Sequence, residues 1–157
     1  MTDIVDAATR SRMMSGIRST NTKPEIHIRR LLHHQGFRYR LNVRDMPGKP
    51  DIVLPRFRAV LFVHGCFWHG HDCQFFRLPS TRSDFWQTKI NRNRDNDLKA
   101  KKALAAAGWR VAIIWECAIR GRNAIDDKDL TDLIISWLQQ GNNIPVLELA
   151  AKHKEDE

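Results

Sequence analysis

No apolar run in the sequence approaches the roughly 20 residues that a membrane-spanning helix requires, so no such helix is expected. The opening "MTDIVDAATRSRMM" lacks the apolar centre of a secretory signal, and the cytoplasm is the expected compartment. There is no internal repeat and no Pro/Gly/Ser-rich linker, so the 157 residues predict one domain over 1–157. Cysteine is scarce and odd in number: Cys66, Cys73 and Cys117. In a reducing compartment this argues against a disulfide framework and leaves thiols that are either buried as small hydrophobes or bound to metal. Acidic residues are the minority, 18 against 26 Lys and Arg, for a net charge of +8. The basic residues crowd 10–44 and 82–122, while the final "KEDE" is acidic. Such a field attracts polyanions, and nucleic acid is the expected partner.

What is present suffices for a packed core, since 42% of residues are hydrophobic. "TKPE", from Thr22 to Glu25, has the capping-box form, and Ile28, Leu31 and Leu32 follow at helical spacing. A helix over 23–35, stopped by Gly36, is predicted. A weaker basic helix over 6–18 belongs to an amino-terminal arm of about 1–19. In "FRYRLNV" Phe37, Tyr39, Leu41 and Val43 alternate with polar residues, which marks a half-exposed strand. "DIVL" and "RAVLFV" read as two more strands, the second buried. Residues 64–82 form a long irregular loop, which needs a function or something to pin it. A polar helix from Ser83 to about Ala107 carries Ile90, Asp97, Leu98 and Leu104 as a thin stripe. "WRVAIIW" is a fourth strand and 127–140 a last helix, with a loose tail over 150–157. The order helix, three strands, helix, strand, helix predicts a mixed α/β domain, a central sheet flanked by helices.

The loop opens with "HGCFWHGHDC", from His64 to Cys73. Cys66, Cys73 and one of its three histidines can wrap an ion, and Cys117 can close a tetrahedral Zn²⁺ site from beyond the last strand. Spacing leaves open which of His64, His69 and His71 is the ligand. The competing reading is inert buried thiols and surface histidines. Metal binding would order the loop, and the histidines left over suit acid–base work near neutral pH. Asp51 follows "PGKP" and opens a strand, where a carboxylate can hold a hard cation such as Mg²⁺ or simply serve the turn. Glu25 is first of all the capping-box acid.

"ATRSRMMSGI", "PGKPDIVL", "HGCFWHGHDC", "FWQTKI" and "GWRVAIIWECAIRG" together resemble the very-short-patch repair mismatch endonuclease family, over residues 7–140. The resemblance implies the fold of type II restriction endonucleases and nicking of DNA 5′ to the T of T:G mismatches left by deaminated 5-methylcytosine. It makes Asp51 the Mg²⁺ ligand for one or two ions, with the backbone carbonyl of Val63, where a well-known member has threonine. It makes His69 the general base, His64 a neighbour of the scissile phosphate, and Glu25 an acid that orients His69. Cys66, His71, Cys73 and Cys117 become the structural zinc ligands. Phe67, Trp68 and Trp86 resemble rings that wedge into the base stack, Met14 a second wedge from the minor groove, and Lys89 and Asn93 base-reading residues. Implied partners are double-stranded DNA with a T:G mismatch and a mismatch-repair matchmaker; one nick on one strand needs only a monomer. Two rivals remain: a non-catalytic, zinc-stabilised DNA-binding protein, and a metallohydrolase that uses the "HGH" pair as catalytic ligands on a small substrate.

Overall fold

Thr22 starts the first helix of the computed structural model, which describes residues 22–152. Its hydroxyl accepts the Glu25 N–H at 3.3 Å, and helix α1 runs over Lys23–His34 with Ile28 and Leu32 buried. The chain leaves it through Gly36 at φ +81, a left-handed conformation that suits glycine. The amino-terminal arm, including Met14, and residues 153–157 of the expected tail lie outside the described residues.

The strand expected across residues 37–43 is shorter than its alternation suggested. Only β1, Arg40–Leu41, forms ladder pairs, because Asn42 turns to φ +50 and leaves the extended region. β1 pairs antiparallel with β2, Ile52–Leu54, which pairs antiparallel with β3, Ala59–His64. A single 3₁₀ turn at Pro55–Phe57 joins these two strands. Helix α2, Ser83–Ala106, carries the chain over to β4, Arg110–Trp115, parallel to β3. Two further elements were not expected. Glu116–Ile119 forms a one-turn helix, α3, and after α4, Asp127–Gln139, the chain adds an edge strand β5, Val146–Leu149, parallel to β4. The sheet of the described residues therefore reads β1-β2-β3-β4-β5 and is mixed.

β3 and β4 are near-continuous apolar runs because helices cover both faces of the sheet. Their alternate residues point to opposite faces. Ala59, Leu61, Ala112 and Ile114 meet Ile28, Leu32, Ile134 and Trp137 of α1 and α4. Val60, Phe62, Val111 and Ile113 form the other core with Leu104 of α2, Cys66 and Cys117. The buried Arg110 closes the end of α4, donating to the carbonyls of Leu138 at 3.1 Å and of Trp137. No helix among the described residues is long and apolar enough to cross a membrane. His64 ends β3 and Trp115 ends β4, so the long loop and Cys117 both spring from the carboxyl ends of parallel strands. Ligands commonly gather at such ends in α/β sheets.

Candidate active site and metal centre

The segment after β3 turns back on itself. The His69 N–H reaches the Gly65 carbonyl at 3.3 Å, and the His71 N–H reaches that of Cys66 at 2.9 Å. Gly70, at φ +62, is needed twice over, since a Cβ there would stand 2.7 Å from Ile90. This winding brings Cys66, His71 and Cys73 to Cys117, one donor atom from each lying within 4.8 Å of all the others. The His71 Nδ1 is 3.6 Å from the Cys117 Sγ, and its ring stacks on Trp115 at 4.2 Å and 11°. Backbone N–H groups of Phe75 and Ala151 donate to the sulfurs of Cys73 and Cys117 at 3.4 and 3.3 Å. Burial pushes the Cys66 and Cys117 thiols upward, so charge on those sulfurs has to be met by a cation. Three sulfurs and one nitrogen, closely set and held by N–H donors, fit a tetrahedral Zn²⁺. Of the three loop histidines, His71 is the one in this cluster.

The other two lie on the far side of the loop. His64 and His69 stack with ring centres 3.8 Å apart and planes within 5°. The Nδ1 of His69 meets the Asp97 carboxylate at 2.5 Å, and the Nε2 of His64 stands 4.0 Å from its other oxygen. An ionised carboxylate only accepts, so in the neutral His69 ring the tautomer this contact favours puts the proton on Nδ1 and the lone pair on Nε2. His64 is buried, and burial, helped by His69, holds its pKa well below the usual imidazole value. One protonated ring in the stack would disfavour a second.

Asp51 faces the same pair. Asp51, Val63, His64, His69 and Asp97 line one cleft of ≈ 390 Å³, with the exposed Arg44 and Lys49 at its rim. The Val63 N–H donates to the Asp51 carboxylate at 2.7 Å. Burial nevertheless lifts the Asp51 pKa from 3.8 to about 7, and the nearby Glu25 adds to the rise while Arg29 opposes it. The burial cost of ionised Asp51 outweighs the Val63 N–H and the Arg29 charge, and a hard divalent cation would offset it.

Glu25 is 1% exposed and pairs with Arg29 at 2.5 Å. The carboxylate that holds the His69 ring is that of Asp97, where the resemblance pointed to Glu25. Asp97 received no role from the sequence. It does stand midway between Ile90 and Leu104, seven residues from each, and both are buried. An acid on the inward stripe of an otherwise basic helix was the available signal.

The rings on the loop and on α2 form one cluster. Phe67 lies 5.2 Å from Trp68 and 5.6 Å from Trp86, and Trp68 lies 5.8 Å from Trp86, all steeply tilted. All three are half-buried. The Lys89 Nζ sits 5.3 Å from the Trp68 ring, and the Asn93 amide donates to the Trp68 carbonyl at 2.8 Å. Both α2 residues expected to read bases thus contact the ring cluster.

Fold and site together define a mixed α/β protein with a histidine–carboxylate cleft beside a cysteine–histidine cluster that could hold a metal ion, both rooted on one loop. The family model for DNA mismatch endonuclease Vsr matches residues 2–75. The type II nicking enzyme V.XorIIP of Xanthomonas oryzae pv. oryzae is 50% identical over 126 residues, covering 80% of this chain and 93% of that protein. DNA mismatch endonuclease Vsr of Escherichia coli is 43% identical over 138 residues, 88% of each chain. The type II nicking enzyme V.NmeAIP of Neisseria meningitidis serogroup A is 44% identical over 122 residues, 78% of this chain and 87% of that protein. The chain belongs to the DNA mismatch endonuclease Vsr family.

Proposed function

We propose that this protein is a Mg²⁺-dependent, strand-specific DNA endonuclease that nicks 5′ to the T of a T:G mismatch, on a restriction-endonuclease-like fold, and so begins very-short-patch repair. The observation that carries the reading is the convergence of Asp51, Val63, His64, His69 and Asp97 on one cleft, on the loop that bears the aromatic cluster.

In this reading the target phosphate enters the cleft past Arg44 and Lys49. His69, with a free Nε2, takes the proton of the attacking water. Asp97 keeps the ring in the required tautomer and steadies the imidazolium that forms. His64 stays neutral, and its N–H can donate a hydrogen bond to a phosphate oxygen without adding charge to the stack. Water attacks phosphorus, the bond to the 3′ oxygen breaks, that oxygen takes a proton from solvent water in the open cleft, and a 3′ hydroxyl and a 5′ phosphate remain. Asp51 and the Val63 carbonyl would hold Mg²⁺, which when bound supplies charge stabilisation to the phosphate oxygens. Cys66, His71, Cys73 and Cys117 would hold Zn²⁺, whose binding energy becomes order in the loop.

Selectivity follows from Phe67, Trp68 and Trp86. Inserting rings between bases costs a few kcal/mol of lost stacking per step, least where mispairing has already weakened the stack. Lys89 and Asn93 stand where they can meet base edges beside those rings, and Met14 would enter from the other groove. The protein is proposed to act in the cytoplasm as a one-domain monomer, with a mismatch-repair matchmaker as a further partner. The test is incubation with end-labelled duplexes carrying T:G, each other mismatch, or none, with Mg²⁺. The reading predicts one nick, on the T strand, in the T:G duplex. Stable binding of uncut DNA would instead favour a zinc-stabilised binding protein.

A further inference from the structure

β1 stops at Asn42, but its ladder does not quite stop with it. The Asn42 N–H still donates to the Asp51 carbonyl at 3.0 Å, so the residue stands directly across from Asp51. Both residues are among those lining the cleft of Val63, His64 and His69. Asn42 sits at φ +50, a conformation that asparagine tolerates better than most residues but glycine best. Turn chemistry therefore accounts for an asparagine here, but not for the burial of its side-chain oxygen.

The amide is conspicuous because its Oδ1 is buried and has no hydrogen-bond partner among the described residues. An acceptor left in that state is costly, and native proteins rarely leave one without a use. The Asp51 carboxylate across the ladder, when ionised, is also an acceptor, so it offers no hydrogen to the Asn42 Oδ1. A positive ion, or a water bound to one, satisfies both. Mg²⁺ takes oxygen ligands, uses few from the protein, and keeps several waters. An uncharged amide oxygen beside one carboxylate suits that preference.

We propose that the Asn42 side-chain oxygen is a further ligand, direct or through one water, of the divalent cation held by Asp51. The inference rests on the reading of Asp51 as the metal carboxylate. It predicts that Asn42 sets cation affinity rather than the shape of the turn.

The test uses Mn²⁺ as the probe, with free and bound ion told apart by electron paramagnetic resonance, on the zinc-loaded full chain without DNA. Asn42→Gly keeps the backbone conformation and removes the oxygen. It is expected to fold with an unchanged melting temperature and to bind Mn²⁺ about 10- to 100-fold more weakly, the usual loss when a group supporting a metal is removed. Asn42→Asp, which keeps an oxygen at the same reach, is expected to bind at least as tightly as the parent. Parent-like Mn²⁺ affinity in Asn42→Gly overturns the inference, and so does weak binding by a folded Asn42→Asp. Asp51→Ala separates the two readings: if it binds as the parent does, the assignment of Asp51 itself fails.

Discussion

Replacing Asp51 by Asn changes one charge and almost no volume, and its effect on stability can be worked from the cleft. The group is partly buried, and its pKa rises from 3.8 to about 7, burial being the main cause. A carboxyl group with a raised folded-state pKa holds its proton more tightly in the fold than in the open chain. Unfolding then releases that proton between pH 3.8 and about 7, so the parent loses stability as pH rises through this window and levels off above it. At ~1.4 kcal/mol for each tenfold change in proton affinity, the whole cost of the ionised group reaches about 4 kcal/mol. Roughly half of it, about 2 kcal/mol, accrues between about pH 5.5 and pH 8.5, a range chosen to avoid acid loss of the cysteine–histidine cluster. Asparagine cannot ionise and still offers an oxygen to the Val63 N–H. In urea denaturation without added divalent ions, followed by tryptophan fluorescence, Asp51→Asn should gain about 2 kcal/mol on the parent across that range. Added Mg²⁺ should stabilise the parent at pH 8 and leave the variant unmoved. A stability difference that stays flat with pH would refute the account of Asp51 as a carboxylate that burial makes costly to ionise.

Three other perturbations separate the parts of the site. Asp97→Asn removes the charge that fixes the His69 proton on Nδ1, so single-turnover nicking should fall on the order of a hundredfold or more, with T:G duplex affinity within about twofold of the parent. Equal losses in binding and rate would mean that Asp97 acts on the DNA instead. Removal of zinc with a strong chelator, or Cys117→Ser, should expose residues 65–82 to limited proteolysis and abolish nicking together with loop order. Loss of activity with the loop still protected would favour a catalytic role for that ion, as in a metallohydrolase. Arg110→Met strips the donors from the Leu138, Trp137 and Ile144 carbonyls at the end of α4 and should lower stability by about 2–4 kcal/mol in urea titrations. A smaller change would mean that water replaces the guanidinium there.

The sequence carried the parts of this structure that are written in periodicity and in rare residues. The apolar stripe of α1, the runs in β3 and β4, and the glycines after α1 and α2 marked elements whose own patterns demand burial or termination. The cysteine–histidine cluster was legible because three sulfurs and "HGH" share one loop and one strand end. Which histidine joins them was not, since that depends on how the loop winds, through hydrogen bonds from His69 and His71 to Gly65 and Cys66. β5 escaped notice because "VLEL" is a short, half-exposed edge strand that looks like a tail. β1 was overextended because alternation says nothing about the left-handed turn at Asn42. Asp97 hid for a related reason. Its partner lies 28 residues away, and only the packing of α2 against the loop reveals the pair.

The most direct measurement is the single-turnover rate of nicking on a T:G duplex with Mg²⁺, compared among the parent, Asp51→Ala and His69→Ala. The account predicts a cut 5′ to the T on that strand alone, with the rate falling at least about a hundredfold in either variant. Nicking by Asp51→Ala at the parent's rate, or equal cutting of a matched duplex, would contradict it.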